Sequence, residues 1–398
     1  MSKLTAILKI FAFFPPILLL AGSFGVVACG KGLFSTSTAS NTATATSTST
    51  ASTMAFVSNF NTGKISEFKR NTTTGNLVLQ GTVKAGSKQG PKGMAIDPTG
   101  SFLYAANFAD GNIEEFTINS NATLTSLGTV SDGSGSGPSL MTIGTTTSGT
   151  FMWVTNENNG TISEWSINTT SGALTNVGTV SGVGLRGPFG LVVSADGSTL
   201  FVSDNTAGLI FTFTINNDGT LTINGSPVPN LNGTANGSPG MMALDPTGDF
   251  LYVTDIVNGV VSLFNVSSLP MTAGGNYPST FTPNTGTIGI GTAILASVNY
   301  VITTNQQAGN TWAFQIQASG ALTLPPNSAG TVSSPTGLAI DPTNSFLYTA
   351  DQGNSTVGIF QLNVACPSTI QPVCPVGTVQ TQSNPPSGGT GPFFVVLN

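Results

Sequence analysis

The segment Gly93-Met94-Ala95-Ile96-Asp97-Pro98-Thr99-Gly100-Ser101-Phe102-Leu103-Tyr104 reads as two short apolar runs joined by a tight turn. Asp-Pro-Thr-Gly suits a type I turn, because proline presets φ at the second position while Asp and Gly fit the ends. The phrase returns at Gly240 to Tyr252 and at Gly337 to Tyr348, with looser copies at Gly190 to Phe201 and Leu140 to Trp153. Each copy is preceded by a proline: Pro91, Pro138, Pro188, Pro239 and Pro335. Pro392 introduces a further one, Phe393-Phe394-Val395-Val396-Leu397, and a degraded copy without proline spans Ile288 to Ala296. Counted together these make seven units. Their mean spacing from Pro91 to Pro392 is about 50 residues, in the range of propeller blades.

Each unit supplies four strands. Strand A ends at the turn, and strand B follows as Phe-Leu-Tyr-x-x. Strand C alternates, as in Ile162-Ser163-Glu164-Trp165-Ser166-Ile167, which predicts one buried face and one wet face. Hairpins such as Ser171-Gly172 and Asp218-Gly219 lead to strand D, which often ends in Gly-Thr-Val. Met54 to Val83 supplies strands B, C and D without an A, while Pro392 to Asn398 supplies an A without the rest. Joined, they make one blade, which closes the ring and protects its edges. The expected fold is therefore all-β: a seven-bladed β-propeller of four-stranded blades over residues 54–398, closed by N-terminal strands B-C-D and C-terminal strand A.

Ahead of the propeller, Lys3 and Lys9 precede an apolar run from Ile10 to Val27, broken by Pro15 and Pro16. This reads as an export signal over residues 1–28. Val26-Val27-Ala28-Cys29-Gly30 resembles the bacterial lipobox, which implies cleavage before Cys29 and lipidation of its thiol. An uncleaved anchor helix is the alternative, and either places the chain on a membrane. Residues 29–53 form a Ser/Thr/Ala-rich linker too poor in large apolar groups to repay its ordering entropy. The expected address is extracytoplasmic and membrane-anchored. An oxidising compartment permits a disulfide between Cys366 and Cys374, in the long connection after Val357 to Leu362; two buried thiols are the other reading.

Composition removes many functions. The chain of 398 residues has only 7% charged residues, no histidine, and 10 Lys+Arg against 16 Asp+Glu. Beyond Lys92 the only basic residue is Arg186, so no basic stripe can neutralise phosphates and no nucleic-acid partner is expected. Absence of histidine excludes Ser-His-acid triads, Cys/His dyads and the usual zinc and iron sites. No cofactor or metal is expected, and a monomer is.

Strand direction places the loops before A and after B on one face. All seven B strands end in Asn or Asp: Asn59, Asn107, Asn156, Asp204, Asp255, Asn305 and Asp351. Such a ring offers hard oxygen ligands, for calcium at Asp204, Asp255 and Asp351, or else caps the following turns by accepting backbone N–H bonds. Residues occurring once mark function better than those in every blade. On this face they are Arg186, Lys88, Lys92 and Glu157, with Asn156, Asp204, Asp255 and Asp351 as further ligand-face candidates. Asp97, Asp245 and Asp341 belong to turns on the opposite face, and Trp153, Trp165 and Trp312 to the core.

At the repeated phrase and at the strand ends Tyr252-Val253-Thr254-Asp255 and Trp153-Val154-Thr155-Asn156, the chain resembles the lactonase-type seven-bladed propellers. That group includes 6-phosphogluconolactonase-like proteins and the repeat proteins named for Tyr-Val-Thr-Asn. The resemblance implies an arginine, a glutamate and a histidine near the channel mouth of enzymatic members, the histidine after the proline that opens strand A. Here that loop reads Arg186-Gly187-Pro188-Phe189-Gly190, so Arg186 corresponds and no histidine follows; Glu157 stands for the glutamate. Two functions follow as expectations. The first is an envelope scaffold that binds a glycan, a small molecule or a protein at the channel mouth. The second is a divergent lactone hydrolase or isomerase with Glu157 as base and Arg186 stabilising an oxyanion.

Overall fold

The computed structural model describes residues 53–133, 135–230, 237–278, 287–295, 298–323, 330–362 and 386–398. They form seven antiparallel sheets, with no helix among the described residues. Blade 1 runs from Pro392–Leu397 (A) through Met54–Asn59 (B) and Lys64–Arg70 (C) to Leu77–Lys84 (D). Strands A to D of blade 2 are Pro91–Ile96, Phe102–Asn107, Asn112–Ile118 and Leu124–Ser131; those of blade 3 are Pro138–Thr146, Gly149–Asn156, Thr161–Ile167 and Leu174–Val180. Blades 4 to 7 begin with strand A at Pro188–Val193, Pro239–Leu244, Thr287–Leu295 and Pro335–Ile340. Each strand A touches strand A of both neighbouring blades, all the way round. Strand A therefore lines the axis and strand D forms the rim.

Blade 1 joins the two ends of the propeller. Ala55 stands opposite Leu397 and Val57 opposite Val395, and Met54 and Asn398 exchange backbone bonds at 3.2 and 3.1 Å. Three strands of blade 7 are described; Cys366, Cys374 and the expected fourth strand lie outside the described residues, as do residues 1–52 with Cys29.

On the lower face the Asp-Pro-Thr-Gly turns are held as their chemistry requires. Asp97 accepts the N–H groups of Thr99, Ser101 and Phe102 at 3.0, 2.9 and 2.8 Å. Gly100 takes φ +72°, and in blade 7 Asn344 takes +54° in its place, a conformation that Asn tolerates. Asp341 does more than close its turn: it forms a fully buried ion pair at 3.4 Å with Arg70 of blade 1.

Polar latches cross the blade junctions. The indole N–H of Trp153 donates to Gly219 O at 2.9 Å, and the hydroxyls of Tyr104, Tyr252 and Tyr348 donate to Gly172, Gly320 and Gly75 O. Each acceptor is the hairpin glycine of the next blade. A second set uses strand C. Through Oε1, Glu67, Glu115 and Glu164 each accept the N–H that opens the next blade's strand D, from Leu124, Leu174 and Leu221, all at 2.7 Å. These glutamates are 5%, 8% and 3% exposed, so the face of strand C expected to be wet is buried in an inter-blade contact. Across the C–D register they face Gly81, Gly128 and Gly178. A Cβ at Gly178 would collide with Glu164 Oε2, whereas Gly128 is required by its φ of +131°. Burial pushes the Glu164 carboxyl up to about 7 against the pull of its N–H bond, and Glu67 and Glu115 shift upward for the same reason.

Candidate functional site

The upper face is built on two adjacent columns of residues. The Asx residue ending each strand B is buried in all seven blades, whereas the residue after it is partly exposed in all seven: Phe60, Phe108, Glu157, Asn205, Ile256, Gln306 and Gln352. The backbone explains the second column. In six blades its N–H donates to the residue before the strand A proline or its equivalent, as from Phe60 to Gly391, Phe108 to Gly90, Glu157 to Gly137 and Gln352 to Ser334. Each such side chain is thereby fixed beside the inner strands.

Within the Asx column, Asp204 and Asp255 cap turns. Asp204 accepts N–H bonds from Arg186, Gly187, Thr206 and Ala207, at 2.6 Å from Arg186 and 2.7 Å from Ala207. Asp255 takes those of Ser238, Val257 and Asn258 at 2.9, 3.0 and 2.7 Å. The Asn156 amide donates to Ser163 Oγ at 2.7 Å. Asp351 accepts the Thr349 hydroxyl at 2.7 Å, and burial pushes its carboxyl up to about 7. The Asp204 and Asp255 carboxylates, surrounded by converging N–H dipoles, are poorly placed to hold calcium. Among the described residues no cluster of three or more Asp, Glu or Cys side chains could grip a metal.

One set of single-occurrence residues meets over the ring of inner strands. Lys92, second residue of strand A in blade 2, places Nζ 2.8 Å from Glu157 Oε1 across 65 positions of sequence. Ser139, second residue of strand A in blade 3, donates its hydroxyl to the same oxygen. The ammonium lies 3.7 Å from the Phe108 ring centroid and 6.0 Å from that of Phe60. Phe60 sits 6.3 Å from both Phe108 and Phe393. Burial lowers the Lys92 pKa, opposed by the charge and hydrogen bond of Glu157. With side chains 13% and 18% exposed, the pair is shielded on the protein side and open on one side. Further round, Gln306 donates to Gln352 at 3.0 Å.

The other candidates stand apart. Lys88 is exposed, with its ammonium 3.9 Å from Asp110. Arg186 is exposed, and it is its backbone N–H that Asp204 holds. The sequence reading overlooked Ser139, Phe60, Phe108 and Phe393. A signal was present: the position after the Asx column varies from blade to blade beside a nearly constant one.

The sequence profile described as "Lactonase, 7-bladed beta-propeller" matches residues 22–132 and 116–272. The chain belongs to this family. Solved structures share the lactonase propeller fold at low identity. A periplasmic gluconolactonase from Pseudomonas aeruginosa is 16% identical, with 86% of this chain and 98% of that one covered and a TM-score of 0.66. A Bacteroides fragilis protein assigned provisionally as a 6-phosphogluconolactonase is 17% identical, covering 88% and 99%, with a TM-score of 0.69. A Lactobacillus plantarum protein is also 17% identical, over 87% and 99%, at 0.69. No curated protein matches the chain significantly. Like the rest of its length, the upper face of this lactonase-family chain carries no histidine.

Proposed function

We propose that the chain is an exported, membrane-tethered propeller that binds an uncharged polyhydroxylated ligand, a glycan or a sugar-derived small molecule, at the centre of its upper face. The observation that carries this reading is the Lys92–Glu157 pair set among Phe60, Phe108 and Phe393. The ammonium and carboxylate neutralise each other and remain partly exposed within an aromatic surround. Hydroxyls satisfy such a pair, and the apolar face of a sugar ring packs on phenylalanine. Export and the tether rest on residues 1–53 as read from the sequence.

A second reading is favoured by Ser139 and Lys92 converging on Glu157 Oε1. In a lactone hydrolase Glu157 would activate water and the Lys92 ammonium would stabilise the developing oxyanion. The substrate would resemble an unphosphorylated gluconolactone more than a phosphorylated one, since Lys92 and Lys88 already face carboxylates. Titrating the full chain with a sugar and sugar-lactone panel by calorimetry, while assaying lactone hydrolysis, separates the two. Binding without turnover, abolished by Lys92→Met and by Glu157→Gln, is the expected result. Turnover lost in Glu157→Gln would install the hydrolase reading, and turnover lost in Arg186→Ala would move the site to Arg186. No binding across the panel would overturn the proposal.

A further inference from the structure

Six of the seven basic residues of the propeller fall between Lys64 and Lys92, and four of them lie on blade 1 or at its outer corner with their side chains exposed: Lys64, Lys69, Lys84 and Lys88. Three converge. Gly63 O accepts the Ala85 N–H at 2.9 Å, which brings the neighbouring Lys64 and Lys84 together, and the Lys88 backbone passes over Gly63. Lys64 and Lys84 are direct cross-strand partners. Like charges in that position repel.

Only Lys88 has a carboxylate nearby, Asp110 at 3.9 Å; among the described residues none pairs with Lys64, Lys69 or Lys84. Along the same edge Lys69 stands opposite Val78, which is 60% exposed, with Leu79 at 37% beside it. Lysines on an edge strand also serve to block sheet-to-sheet pairing. That role would call for them on every rim, yet no Lys or Arg occurs on strands C and D of blades 2 to 6. Blade 1 is also the blade at which the chain arrives from residues 1–53, at Met54.

We infer that the outer edge of blade 1 is a docking surface for the anionic headgroups of the membrane to which the chain is tethered. The inference rests on the tether proposed above, but its electrostatics are separate from it. Exposed lysines gain by replacing their mutual repulsion with headgroup charge, each worth about fivefold in affinity and screened by salt. Val78 and Leu79 are placed to enter the interfacial layer. Docked by this edge, the disc stands upright on the membrane and its upper face stays open to solvent.

The test uses the full chain in flotation with vesicles of phosphatidylcholine alone or mixed with phosphatidylglycerol, followed by amine acylation and mass spectrometry. The expected result is flotation with both, with labelling of Lys64, Lys69 and Lys84 reduced on the anionic vesicles and restored at high salt. Flotation with both and equal labelling overturns the docking edge and leaves the tether standing. Flotation with anionic vesicles alone overturns the tether; its loss in the triple variant Lys64→Gln, Lys69→Gln, Lys84→Gln then supports the edge, and its persistence overturns it. Flotation with neither overturns both.

Discussion

Blades 1 to 3 hold all five glutamates of the chain and, with Arg186 set aside, every basic residue of the propeller, whereas the charged residues of blades 5 to 7 are all aspartates. Both halves fold to the same blade. Position for position, the clamp residues Glu67, Glu115 and Glu164 give way to Thr212 in blade 4, the buried Leu263 in blade 5 and Ala313 in blade 6. Repeat, turn and inner-strand packing therefore suffice for the fold, while the charged residues of the first half lie at particular junctions, at the upper-face site and on the exposed edge of blade 1. A buried acceptor replaced together with its need can be neutral, while one removed alone orphans its donor.

The largest effect is expected at the junction that closes the ring. Arg70→Met leaves Asp341 buried without its partner and should cost about 3–5 kcal/mol in denaturant unfolding. A loss under about 1 kcal/mol would show that blade 7 and blade 1 are held by strand pairing and apolar contact alone. Next, Glu164→Ala strips the acceptor from Leu221 N–H and should cost about 1–3 kcal/mol, against a few tenths for Thr212→Ala one blade on. Equal losses would erase the distinction between the halves.

The pH dependence follows in sign from burial. Glu164 and Asp351 are pushed up to about 7 and Asp132 to about 6, each by desolvation, so the folded state holds protons that the unfolded chain has released. The stability these groups contribute is present below their unfolded values, near pH 4, and is lost as pH rises through 6 to 7. Thermal midpoints should therefore fall between pH 5 and pH 8, and Glu164→Gln should flatten part of that slope. A midpoint that rises over this window would contradict the assignment. The smallest effect is at Arg186, whose exposed guanidinium predicts a change within about 0.5 kcal/mol on Arg186→Ala.

How far the sequence could be read depended on repetition. Asp-Pro-Thr-Gly, the proline before strand A and the split blade are local or recurrent features, and each survives as a pattern in one dimension. Glu157 and Lys92 were visible as residues that occur once. Their meeting was not, because it depends on how far adjacent blades rotate and on the Gly93 backbone lying against that of Leu140, 2.8 Å from where a Cβ would stand. The strand C glutamates were misread for a related reason. Alternation predicts which side a residue faces within its own sheet, and only the next blade determines whether that side is wet. Phe60 and Phe108 passed as ordinary apolar residues, since exposure at a strand end is set by the backbone bond to the preceding loop.

The split blade also sets an order in time. Strands B, C and D of blade 1 are made first, but their inner partner, Pro392–Leu397, emerges only after some 300 further residues, which takes on the order of half a minute at ordinary synthesis rates. Through that interval Met54–Asn59 presents an unpaired strand edge to whatever lies nearby. A chain that stalls before Pro392 has six complete intervals of sequence and an unguarded seam, so premature termination is expected to yield aggregating material and not a slightly smaller ring.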